Sequence, residues 1–223
     1  LPLGAFSNGT CVSFSGVFQG NGHSIKGLKV NSTNSGGYKH AGLFCSLKNA
    51  TVYNLVIESS CSFTGWSAGA LSVSVNGSLT VKSTTNNAAV NGRWRVGGFI
   101  ATLEYMQEGV SLTLENCTNE GNVTGTGEVG GLISFIGYNN NAVVKMNNCH
   151  CHGFITGEDQ CGVGGLLGRV LSNTIISILL LNNSNNGTVK GGTESVGGFI
   201  GIIDGGDANI QIMNCANFGN VSG

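Results

Sequence analysis

The chain has 223 residues, 40% of them hydrophobic and only 9% charged, with 38 glycines, one proline and a formal net charge of −1. Such sparse charge, with no basic cluster beyond Arg93-Trp94-Arg95, excludes a nucleic-acid partner. The longest apolar run, Ile175 to Leu181 with one serine, is far short of the roughly 20 residues of a membrane helix, so no span is expected.

In chain order, residues 1–13 read as a lead-in or cap, and 14–223 as one repeat domain. Phe14-Ser-Gly-Val-Phe-Gln-Gly-Asn-Gly-His-Ser-Ile-Lys-Gly-Leu28 opens it in a register of its own. Degenerate units start at Ala41-Gly42-Leu43-Phe44 and Ala68-Gly69-Ala70-Leu71. Clear copies then follow at Val96-Gly97-Gly98-Phe99-Ile100, Val129-Gly130-Gly131-Leu132-Ile133, Val163-Gly164-Gly165-Leu166-Leu167 and Val196-Gly197-Gly198-Phe199-Ile200. Each unit continues in a second segment, and Leu112 to Gly125 matches Ile210 to Gly223 nearly residue for residue.

Apolar residues alternate over short stretches that end in Asn or Gly, the pattern of half-buried strands separated by turns. A unit with three such strands cannot bury its apolar face alone and must stack on its copies. The expected fold is all-β: a single-domain right-handed parallel β-helix (β-solenoid) of about seven coils of roughly 27–34 residues. At about 4.8 Å per coil the rod is about 30 Å long. The repeated glycine pair marks a sharp corner or close approach at one place in each coil.

The opening segment, the repeated Gly-Gly-Leu/Phe-Ile and the pattern Ile-x-x-Cys-x-Asn-x-Gly-x-Val-x-Gly together resemble the GLUG-repeat family over about residues 14 to 223. The resemblance implies a solenoid from a secreted or surface protein and carries over no catalytic motif.

Aligned units place Asn86, Asn119, Cys151, Asn185 and Asn217 at one turn position, an amide ladder interrupted by a cysteine. A second column holds Thr84, Cys117, Cys149, Asn183 and Cys215, which makes Cys117 and Cys149 disulfide candidates. Eight cysteines, with Asn-x-Ser/Thr triplets at Asn8, Asn31, Asn49, Asn76, Asn116, Asn122, Asn182, Asn186 and Asn220, favour a secreted or cell-surface location with covalent N-glycans.

No metal or other cofactor is expected. Alternation separates the cysteines and histidines of Cys149-His150-Cys151-His152 onto opposite faces, and Asp204-Gly205-Gly206-Asp207 lacks the further carboxylates of a calcium loop. The eight glutamates, Glu104, Glu120 and Glu128 among them, fall mostly at turns or strand ends without forming a column, so no enzyme is expected. Trp66 and Trp94 occupy equivalent corners of consecutive units and are the candidate glycan contacts.

The function expected is that of a non-enzymatic extracellular glycosylated solenoid with a structural role, self-associating head-to-tail into a fibre. The alternative is an adhesin or stalk module that binds glycans or host or matrix proteins.

Overall fold

A computed structural model describes residues 11–32, 40–104, 109–137, 141–158, 161–172, 176–192 and 195–223. The described residues are all-β, without a helix, and form a parallel β-solenoid. Two stacks hold seven short strands each, a third holds six, and the broad remaining face is a 12-stranded sheet. The long strand Phe44–Tyr53 bridges the two halves of that broad face. The lead-in expected at 1–13 lies mostly outside the described residues.

The alternation seen in the sequence sets which side chains face inward. In Ser111–Glu115, Val143–Asn147 and Ile176–Leu181, the residues Leu112, Leu114, Val144, Met146, Ile178 and Leu180 are buried, while their neighbours are at least partly exposed. Strict register stacks like on like: Leu112 pairs with Val144, Val144 with Ile178, and Ile178 with Ile210. Each inward column is thereby continuous, and burial of apolar surface supplies the main stabilisation.

One corner is turned by a column in the left-handed region: Asn54, Ser83, Asn116, Asn148, Asn182 and Asn214, with φ of 46° to 54°. Asparagine tolerates that conformation better than most residues.

The glycine pairs close the section of the coil. A Cβ on Gly97, Gly130, Gly164 or Gly197 would collide with the carbonyl oxygen three residues on. A Cβ on the second glycine would meet the opposite wall: Asn119 at 2.7 Å from Gly98, Cys151 at 2.6 Å from Gly131, Asn185 at 2.6 Å from Gly165 and Asn217 at 2.7 Å from Gly198. The lumen here is as narrow as one glycine backbone packed on one amide, so Gly-Gly and Asn are two halves of one packing solution.

Candidate functional site

The amide ladder runs up the interior. Asn86 pairs in register with Asn119, Asn119 with Cys151, Cys151 with Asn185 and Asn185 with Asn217. Asn86 donates Nδ2–H to Asn119 Oδ1 at 2.8 Å, and Asn185 donates to Asn217 Oδ1 at 2.7 Å. Each asparagine also donates to the carbonyl two residues on: Ala88, Gly121, Gly187 or Gly219. The ladder satisfies turn carbonyls inside a solid core.

Cys117 and Cys149 are neighbours in the adjoining column, both fully buried, and their thiols are hydrogen-bonded to each other. They remain free thiols, and the disulfide joins Cys11 to Cys45 instead. In-register parallel strands hold equivalent Cβ atoms about 4.8 Å apart, just beyond the 3.5–4.5 Å a disulfide needs. Cys11 escapes that constraint. The register pairing Ser13 with Ser46 sets it one residue out of step with Cys45 and ahead of the strand, where the backbone can converge.

Eight of the nine sequon asparagines are described, and all eight are exposed; Asn8 lies outside the described residues. Asn116 and Asn182 belong to the left-handed corner column, and Asn49 also has positive φ. Their amides are engaged in the architecture: Asn49 accepts from the Ser78 N–H, Asn116 from Asn148, and Asn122 from the Phe154 N–H, while Asn76 donates to Ser46 Oγ and Asn182 to Asn147 Oδ1. Corner geometry alone therefore accounts for several of the triplets: an asparagine for the turn, an inward residue, then a β-prone Ser or Thr.

His150 and His152 point outward, where His152 Nδ1 lies 2.8 Å from Glu120 Oε1, while Cys149 and Cys151 are buried. Among the described residues no group of three His, Cys, Asp or Glu side chains could hold a metal ion.

A charge chain on the exterior was not anticipated from the sequence. Arg95 is ion-paired with Glu104, and its Nε lies 3.9 Å from Glu128. Glu128 in turn meets Arg169 at 3.3 Å, and Arg169 meets Asp204 at 2.7 Å. Glu128 is only 1% exposed, and the Arg95 guanidinium lies 3.8 Å over the Phe135 ring. Two arginines thus link Glu104, Glu128 and Asp204 across the coil stack. The signal was present: Arg95 and Glu128 each immediately precede a Val-Gly-Gly, and they pair directly in register.

Glu104 and Asp204 are too far apart for a glycosidase pair. Glu104, Gly137, Leu171 and Asp204 stand in one column, so Glu104 and Asp204 are three strand spacings apart, about 14 Å. Retaining and inverting enzymes need about 5–5.5 Å and about 6.5–9.5 Å. Glu128, between them, is occupied by its arginines.

Beside Arg95 lies an open groove of about 530 Å³, lined by His40, Trp66, Ser67, Trp94 and Arg95. His40 pairs in register with Ser67, so the floor is a strand-to-strand column. The carbonyl of Trp66 accepts both the Trp94 N–H at 2.8 Å and the Arg93 N–H at 3.1 Å, which sets the two tryptophans at one corner of adjacent coils. In the next coil the Arg93 carbonyl is met by the Gly127 N–H at 2.9 Å. A Cβ at Gly127 would strike the Trp94 carbonyl oxygen, so the corner packs on backbone in that coil. Trp94 is 42% exposed, and the Arg93 guanidinium lies 5.0 Å over the Trp66 ring. Burial pushes His40 below its ordinary value, leaving it neutral at pH 7.

Fold and site together define the chain as a parallel β-solenoid with an aromatic groove on an outer edge. It is similar in structure, with a TM-score of 0.70 and 20% identity, to a putative immunoglobulin A1 protease from Bacteroides ovatus, a likeness of fold that covers 90% of this chain and 59% of that one. In sequence it is 35% identical over 95 residues to halomucin of Haloquadratum walsbyi (strain DSM 16790 / HBSQ001), over 42% of this chain. The chain spans 1% of halomucin's length. No family model matches it, so the likeness to GLUG repeats stays a resemblance of motifs.

Proposed function

We propose that this chain is a non-enzymatic structural solenoid, secreted or displayed at the cell surface. The observation that carries the reading is the filled interior. Among the described residues, apolar columns, amide ladder and glycine backbones pack the lumen, and on the outer face Glu104, Glu128 and Asp204 pair with arginines. The Cys11–Cys45 bridge supports an oxidising compartment, and the stretch similar to halomucin supports an exterior location.

In-register stacking of like on like is a contact that copies of a solenoid can continue between one another; head-to-tail repetition of that contact yields a filament, and N-glycans on the exposed sequons would keep filaments apart laterally. Negative-stain electron microscopy with light scattering tests the assembly: filaments with a repeat near the rod length support it, and discrete monomers remove it. Glycopeptide mass spectrometry tests the coating, which bare sequons would exclude.

The groove favours a second reading, an adhesive module that holds a saccharide on the Trp66/Trp94 edge. Indole faces beside hydrogen-bonding side chains suit a pyranose ring. Mutating both tryptophans would abolish a glycan-array signal if this reading holds.

A further inference from the structure

We propose that the Trp66/Trp94 groove takes an anionic sugar, a pyranose unit bearing a carboxylate or a sulfate; this rests on the saccharide-binding reading above and adds the ligand class.

The lining is one-sided in its hydrogen-bonding chemistry. Of the lining side chains, the Trp94 indole N–H and the Arg95 guanidinium can only donate, Ser67 and the neutral His40 imidazole can donate or accept, and no acidic side chain or carboxamide is among them. A neutral polyol presents hydroxyl donors and is best met by carboxylates and amides. Walls made of donors suit a ligand rich in acceptor oxygens. The backbone carbonyl of Trp66 is already taken by the Arg93 and Trp94 amides and offers the ligand little.

Charge points the same way. Arg95 is committed to Glu104, but Arg93, the cation above Trp66, is exposed and has no ion pair among the described residues. Because Arg93 covers one face of Trp66, the half-exposed indole of Trp94 is the platform for the sugar ring, and Arg93, held on the lining residue Trp66 without itself lining the groove, is the cation for the anionic substituent. Arg93 fits the role because its planar fork matches a carboxylate or sulfate in bidentate fashion.

The chain has two tryptophans and both line this groove, so intrinsic fluorescence reports on the site alone. The intact protein is titrated with a galacturonic acid hexasaccharide, a κ-carrageenan hexasaccharide and neutral cellohexaose. The expected result is that one or both anionic probes shift the emission and bind about tenfold more tightly than cellohexaose, an advantage that shrinks at high salt. Which anionic probe binds separates carboxylate from sulfate. Trp94→Ala abolishes binding, Arg93→Ala removes the anionic preference, and Arg93→Lys restores part of it. Equal affinity for all three probes would overturn the anionic class and leave the saccharide groove standing. No binding by any probe would overturn both, and binding that survives Trp94→Ala would place the ligand elsewhere.

Discussion

Cys151 stands next to Asn185 in the amide ladder and leaves the Asn185 Oδ1 without a hydrogen-bond donor, although that oxygen is buried. Where asparagine precedes asparagine, the amide supplies the donor, as Asn86 does for Asn119 and Asn185 for Asn217. The thiol is a weak donor and instead faces the Asn119 amide at 3.8 Å. Cys151→Asn should complete the ladder. The site already accepts asparagine in the coils on either side, so we expect a gain of about 1–3 kcal/mol, the cost of one unsatisfied buried acceptor. Urea unfolding of the two proteins checks it, and an unchanged or lowered midpoint would contradict the ladder's energetic role.

The glycine pair gives a sharper contrast. A Cβ at Gly131 would strike the Gly165 carbonyl and lie 2.6 Å from Cys151, backbone on one side and the ladder on the other. Gly131→Ala should cost about 3 kcal/mol, the upper end of overpacking effects. Gly206 has nothing within 4 Å, and Gly206→Ala should change stability by less than about 0.5 kcal/mol. Thermal unfolding of both variants separates glycines required by packing from those that merely occur in turns.

Acid sensitivity should have a component from His40. Burial lowers its value below the ordinary 6.5, so below that pH the unfolded chain binds a proton that the folded chain resists. Stability is therefore unaffected by this group above about pH 6.5 and falls as the pH drops beneath it. His40→Asn should flatten the decline between pH 6.5 and 5.5. Denaturant midpoints across that range are the measurement, and an identical slope in the variant would remove His40 as the source.

Thiol reactivity should sort by depth. The hydrogen bond that the Cys149 thiol donates to Cys117, with burial, pushes Cys149 far above the ordinary thiol range, and burial raises Cys151 to about 12. Native alkylation should therefore reach the partly exposed Cys161 and Cys215 and spare Cys61, Cys117, Cys149 and Cys151. Unfolding without a reductant should expose six thiols, and reduction two more from Cys11 and Cys45. Four thiols prior to reduction would show that Cys117 and Cys149 had bridged after all.

The repeat makes the strand register legible in the sequence, because an offset of one unit is the same thing as a step of one coil. Asn86 and Asn119 are 33 residues apart and hydrogen-bond directly. The same logic reaches Trp66 and Trp94, and the outward placement of His150 and His152. It does not distinguish between cysteine pairs, since Cys11–Cys45 and Cys117–Cys149 are both separated by about one coil. A disulfide depends on the angle between two Cβ vectors, which spacing does not encode.

The sequence by itself determined the all-β class, the parallel stacking, the columns and the corner that carries both tryptophans, because these follow from periodicity and from residue preferences at turns. Only the tertiary structure decided how different columns meet. Gly131 faces Cys151 across the lumen, and Glu128 reaches Arg169 from a neighbouring strand stack. Those relationships depend on how tightly each coil is folded at its glycine pair, a distance across the section of the solenoid that no interval along the chain specifies.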